Sequence, residues 1–238
     1  MTTDFTAEAE KLAEACRAIF GDPSTWITAN GYPNSLALCV IDSLWSTGPS
    51  YGAVQNVVAA YSAHRRLNGH DPSQDGICEL LDVFTDVGGS VGFAELVNNQ
   101  NRAYSDIHAP LKAEVVYQAV LALHKMRVRT MKDLHAQYAA DEHLTDLKKA
   151  WLKLPSQSSG VTFNYFLILA GYPSVKPDRM IIRFVKKHGD ITRELTSTET
   201  GDLVKQVAKL YPVPANRLDH VIWRYASGRK VFKVDDLN

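Results

Sequence analysis

Apolar residues recur at intervals of three and four along almost the whole chain, the spacing that lines one face of an α-helix. Residues 6–20, TAEAEKLAEACRAIF, add an Ala, Glu and Lys content that favours helix intrinsically. Residues 35–47, SLALCVIDSLWST, are apolar nearly throughout, which predicts a buried helix. The same spacing predicts helices over 52–66, 76–87, 90–99, 110–125, 130–139, 144–153, 161–171, 177–188, 200–210 and 214–226. Pro110 suits the start of its helix, where its missing N–H costs nothing. No period-two alternation is long enough for a sheet, and RKVFKV (229–234) is only a weak strand candidate. STGPSYG (46–52) reads as a loop. Segments 21–34 and 67–75 hold Gly, Pro, Asn and Asp, and read as surface connections rather than domain boundaries.

Composition adds little to this all-α picture. The 238 residues are 45% apolar and 22% charged, as in ordinary globular chains, which excludes disorder, collagen and coiled coil. No run approaches the roughly 18–20 apolar residues that span a bilayer, so no membrane partner is expected. The polar, acidic N-terminus lacks the basic and apolar regions of a signal peptide. Cys16, Cys39 and Cys78 make neither a disulfide framework nor a metal pair, and a reduced, cytoplasmic protein is expected.

Charge changes the picture. The chain is neutral, with 26 basic and 26 acidic residues, but they are unevenly spread. Residues 1–110 hold 5 basic and 13 acidic side chains; residues 111–238 hold 21 and 13. Such asymmetry points to a polyanion partner, unless the charges intermingle on folding. Eight scattered histidines show no HxxxH or HExxH spacing, and there is no Walker loop, GxGxxG or GxSxG. No metal or cofactor is expected.

Residues 144–188 concentrate the candidate chemistry. They read as helix, six-residue hairpin, helix, short loop, helix. The hairpin PSQSSG (155–160) opens onto a helix whose N-terminal N–H groups can hold an anion, phosphate above all. Lys148, Lys149 and Lys153 precede it. AGYPSVKPD then brings Asp178 to the start of the next helix, as a cap or as a reactive carboxylate.

This string resembles the helix-hairpin-helix/Gly-Pro-Asp (HhH-GPD) superfamily of DNA glycosylases, the endonuclease III-like enzymes. Leu154-Pro155 matches the entry of the family's LPGVG-type hairpin. Thr162 and Asn164 match the start of its second helix, and Pro177-Asp178 its aspartate motif, followed by Ile182, Arg183 and Phe184. Residues 36–58 resemble the family's first apolar helix and loop, and 218–227 its closing helix. Two hairpin glycines are replaced by Ser156 and Ser158, the position of the bifunctional members' lysine falls on Gly160, and the iron–sulfur cysteines are absent.

The resemblance implies a two-lobed fold. Residues 35–170 would form a helical bundle carrying the helix-hairpin-helix at 144–171. Residues 1–34 and 171–238 would form a second helical lobe. It further implies a monofunctional glycosylase acting on double-stranded DNA, as a nucleoid-associated monomer. Asp178 would stabilise the sugar cation and guide water. Lys153, Ser156, Gln157, Ser158, Ser159, Gly160, Thr162, Lys176 and Arg179 would contact DNA. Trp45, Ser46 and Tyr51 would supply a wedge or base pocket, unless Trp45 belongs to the core. A non-catalytic DNA binder of the same fold and a helical protein-interaction module are the competing expectations.

Overall fold

The most apolar stretch of the chain becomes its most buried helix. In a computed structural model, which describes residues 5–48 and 51–233, all ten residues of α2 (Leu36–Trp45) are buried. Ser35 starts the helix: its Oγ accepts the Leu38 N–H at 3.3 Å and donates to the Asp75 carbonyl at 3.0 Å. The described residues hold twelve α-helices and two isolated antiparallel bridges, with no sheet, so the chain is all-α. None of these helices is long and apolar enough to cross a membrane.

The chain divides into two compact units. The first, residues 31–171, contains α2, α3 (Tyr51–Leu67), α4 (Ile77–Asp86), α5 (Ser90–Leu96), α6 (Lys112–Lys125), α7 (Met131–Ala140), α8 (Thr145–Trp151) and α9 (Val161–Leu169). α2 packs against α3, α4, α6 and α9. Phe84 and Phe93 stack at 4.2 Å, and Trp45 lies 6.2 Å from Phe93. The unit is closed at its ends. The Tyr32 N–H donates to the Leu169 carbonyl at 2.7 Å. Gly31, at φ +58°, lies so close that a Cβ would sit 2.3 Å from that carbonyl oxygen.

The second unit takes its described residues from 1–30 and 172–238. α1 (Thr6–Phe20) lays Ala9, Leu12, Ala13, Cys16 and Phe20 against α10 (Arg179–Gly189) and α11 (Ser197–Leu210). α12 (Ala215–Ala226) packs against α10 and α11. Phe20 stacks on Phe184 at 5.7 Å.

Three sequence expectations change. Segment 21–34 is not only a surface connection. Trp26 is 1% exposed and donates from Nε1 to the Phe20 carbonyl at 2.9 Å, and the division between units falls at 30/31. Burial of a ring that size outweighs the polar character of its neighbours. Segment 67–75 ends in buried Asp75, which accepts from Arg65 Nε (2.7 Å), Arg65 Nη2 (2.9 Å) and Tyr61 Oη (2.7 Å). In 229–234, residue 234 lies outside the described residues and only Phe232 bridges, to Trp26. The charge asymmetry also dissolves. Residues 31–171 hold 11 basic and 13 acidic side chains, and the rest of the chain holds 15 and 13, because each unit joins an acidic stretch to a basic one, 31–110 to 111–171 and 1–30 to 172–238.

Candidate functional site

The hairpin between α8 and α9 is held from inside by three side chains. Trp151 Nε1 donates to Thr162 Oγ1 at 3.0 Å, the Thr162 hydroxyl donates to Gln157 Oε1, and Gln157 Nε2 donates to the Pro155 carbonyl at 3.0 Å. Gln157 and Thr162 are buried, so their side chains shape the turn and are not offered to a ligand. Ser156, Ser158 and Ser159 are exposed. Two residues are left-handed: Gly160 at φ +73°, where α9 begins, and Ser156 at φ +65°. A Cβ at Gly160 would meet only Leu152, at 3.5 Å, so the backbone angle is what calls for glycine there. At Ser156 the same region is occupied by a residue with a Cβ, which costs on the order of 1–2 kcal/mol.

Beside the hairpin lies an open recess of about 450 Å³, lined by His143, Thr145, Lys148, Lys149, Leu152 and Lys153. The three lysines are exposed and join no ion pair among the described residues. Asp141 is turned to the backbone: it accepts the Thr145 N–H at 2.7 Å and the His143 N–H at 3.0 Å, and these bonds hold its carboxyl below the usual range.

Asp178 belongs to the second unit. It caps α10: Oδ1 accepts the Met180 N–H at 2.8 Å and the Ile181 N–H at 3.2 Å, while Oδ2 has no donor among the described residues. The Asp178 N–H donates to the Lys176 carbonyl at 2.7 Å, folding a tight turn about Pro177. The Lys176 N–H donates to Asp219 Oδ1 on α12 at 2.8 Å. Asp219 is 6% exposed. Burial first, and then the neighbouring Asp178 charge, push its carboxyl well above the usual range, against the Lys176 bond. Lys176 is half-buried, and Arg179 and Arg183 are exposed. Sequence reasoning passed over Asp219, yet a signal was there. Ala215, Leu218, Asp219 and Ile222 share the spacing of one buried helix face, and only one of them is charged.

Of the three wedge candidates, Trp45 is 0% exposed and part of the core, so it has no surface on which to stack a base. Ser46 is half-buried and donates to the Ser43 carbonyl at 2.8 Å. Tyr51 is 38% exposed at the start of α3, and residues 49–50 of this loop lie outside the described residues. Buried Lys112 shapes the loop: its Nζ donates to the Trp45 carbonyl and to Thr47 Oγ1, each at 2.9 Å, and to the Thr47 carbonyl. The sequence also gave no notice of buried Asp42 on α2. It accepts from Tyr32 Oη at 2.8 Å and hydrogen-bonds Tyr165, and both phenols are pushed up by burial and by Asp42.

Residues 10–227 match the family described as a domain of unknown function (DUF8548), and the chain belongs to that family. No curated protein and no solved structure matches the chain.

Proposed function

We propose that this DUF8548 chain is a divergent member of the HhH-GPD superfamily and a monofunctional DNA glycosylase. It would bind duplex DNA through the 155–160 hairpin and hydrolyse the N-glycosidic bond of a damaged or modified base. One observation carries the reading. The hairpin keeps a left-handed backbone at Ser156, where the resembling enzymes use glycine, beside three lysines that join no ion pair among the described residues. A turn that holds such an angle against its own Cβ is maintained by its surroundings, and such positions cluster at ligand clamps. Phosphates need donors and unpaired cations, and the exposed serines and lysines supply both.

The chemistry falls to Asp178. Breaking a glycosidic bond builds positive charge on the sugar. Oδ1 is engaged in capping α10, which orients the carboxylate and leaves Oδ2 for a water or for the cation. The start of a helix is also a favourable place for negative charge. Gly160 offers no amine for a Schiff base, so water attack would leave an intact abasic site. The target base would be flipped from the stack, with Tyr51 and Ser46 the remaining wedge candidates.

The test is a panel of duplexes carrying alkylated, oxidised, deaminated and hypermodified bases, scored for free base and for abasic product. We expect release from at least one duplex, no borohydride trapping, and binding that weakens steeply with salt. Asp178→Asn should lower turnover by about 10² or more with binding retained. Salt-dependent binding without release from any duplex would leave a non-catalytic DNA binder. No binding to any duplex would overturn both readings.

A further inference from the structure

Asp219 stands on a helix face that has every reason to be apolar. Its neighbours at the same spacing are Ala215, Leu218 and Ile222, all buried. A leucine at 219 would suit packing, and a carboxyl there carries a desolvation cost that packing does not return. What the carboxyl does instead is local. It takes the Lys176 amide at 2.8 Å, across 43 residues of sequence. The carbonyl of that same residue takes the Asp178 amide at 2.7 Å. Both backbone groups of Lys176 are therefore committed, one to Asp219 and one to Asp178. The Asp178 side chain is in turn fixed by the two α10 amides on Oδ1. The chain of bonds from Asp219 ends at Asp178 Oδ2, which has no donor among the described residues.

We propose that Asp219 is a positioning residue for Asp178: its side chain clamps the Lys176–Asp178 turn and thereby sets the direction of the uncapped Asp178 oxygen. The role of Asp178 rests on the glycosylase reading, whereas the clamp rests on the hydrogen bonds alone. The raised carboxyl of Asp219 is consistent with this division of labour. Burial and the neighbouring Asp178 charge both favour the neutral form of Asp219. A neutral acceptor would then serve equally well at 219, so asparagine should replace aspartate and leucine should not.

The experiment compares the full-length wild type with Asp219→Asn and Asp219→Leu. Amide hydrogen exchange at Lys176 and Asp178 reads the turn. Single-turnover base release and duplex affinity read the reaction. We expect Asp219→Leu to speed exchange of the Lys176 amide about tenfold or more. It should lower single-turnover release by about ten- to a hundredfold, the scale of a misplaced reacting group, with affinity unchanged. Asp219→Asn should stay within about threefold of wild type in exchange and release. Four results would overturn the proposal: unchanged Lys176 exchange in Asp219→Leu, faster exchange there with full release, loss of release in Asp219→Asn, or faster Lys176 exchange in Asp219→Asn. If Asp219→Leu does not fold, Asp219→Asn decides alone, since loss of release or faster Lys176 exchange there sinks the clamp. If the wild type releases no base, the glycosylase reading fails while the exchange measurements still judge the clamp.

Discussion

In the 155–160 hairpin every side-chain anchor lies within eleven residues of its partner, the longest reach being Trp151 to Thr162. In the 176–178 turn the anchor is Asp219, 43 residues further on. The hairpin uses neutral groups only, a ring N–H, a hydroxyl and an amide. The second turn uses a buried carboxyl beside another carboxylate, on a helix that also carries a half-buried histidine. A turn anchored locally forms as soon as its two helices meet. A turn anchored from a distant helix exists only when the whole unit has assembled, and it carries the electrostatic burden of its anchor. The first is robust; the second responds to the state of the fold around it.

The largest expected effect sharpens that contrast through pH. His220 on α12 has a ring nitrogen, Nε2, with no hydrogen-bond partner among the described residues. Burial first, and then the Arg224 charge, lower its pKa to about 4 from an ordinary 6.5. The native state therefore binds fewer protons than the unfolded chain between these values. The neutral ring's contribution is whole above about pH 6.5 and is lost as pH falls toward about 4. Replacing the ring by His220→Gln should flatten the stability profile by about 2–3 kcal/mol over that window. Urea denaturation at pH 7 and pH 4, compared with wild type, measures it. An equal acid loss in both proteins would break the comparison. The hairpin PSQSSG has no titratable side chain and should show no such dependence.

The next effect tests the hairpin. Thr162→Val keeps shape but removes the hydroxyl shared by Trp151 and Gln157, leaving a buried donor and a buried acceptor without partners. It should destabilise the protein by about 2 kcal/mol, read by chemical denaturation at pH 7. A neutral result would mean that water replaces the bridge. The smallest effect has the opposite sign. Ser156→Gly removes the Cβ from a left-handed position and should stabilise by about 0.5–1 kcal/mol, less than the full strain because glycine has more freedom to lose in the unfolded chain. A loss of stability there would show that the serine side chain is worth more than its backbone strain.

The same difference in reach explains what could be read in the sequence. The twelve helices follow from local periodicity, and so does Asp178 at a helix start, because a cap is written in the residues beside it. The hairpin was visible as a cluster of small polar residues, but two of its proposed ligand contacts, Gln157 and Thr162, proved to be its internal frame. Polarity alone does not tell a contact from a brace. Trp45 was open between core and surface, and packing against Phe93 placed it in the core. Segment 21–34 reads as a surface connection because most of its residues are polar or turn-forming, yet it buries Trp26. Asp219 could have been noticed as a charge on an apolar face, yet its partner could not, since nothing within α12 points to Lys176. The charge asymmetry of the two halves is not carried by the two units, because each unit draws one acidic and one basic stretch from both halves.

Translation order treats the two units differently. Once Leu169 has left the ribosome, its carbonyl is available to the Tyr32 amide, and residues 31–171 have all their helices at hand. α1 is made first and served last. Its partners α10 and α11 begin roughly 160 to 180 residues after it ends, and α12 completes the unit near residue 226. At about 5–20 residues per second, the apolar face formed by Leu12, Cys16 and Phe20 waits about 10–40 s for its cover. The Ala, Glu and Lys that fill the rest of α1 favour helix intrinsically and give it a polar outer side. The stitch at Gly31–Tyr32 closes the inserted unit behind it, leaving α1 outside that unit and free for the helices still to come.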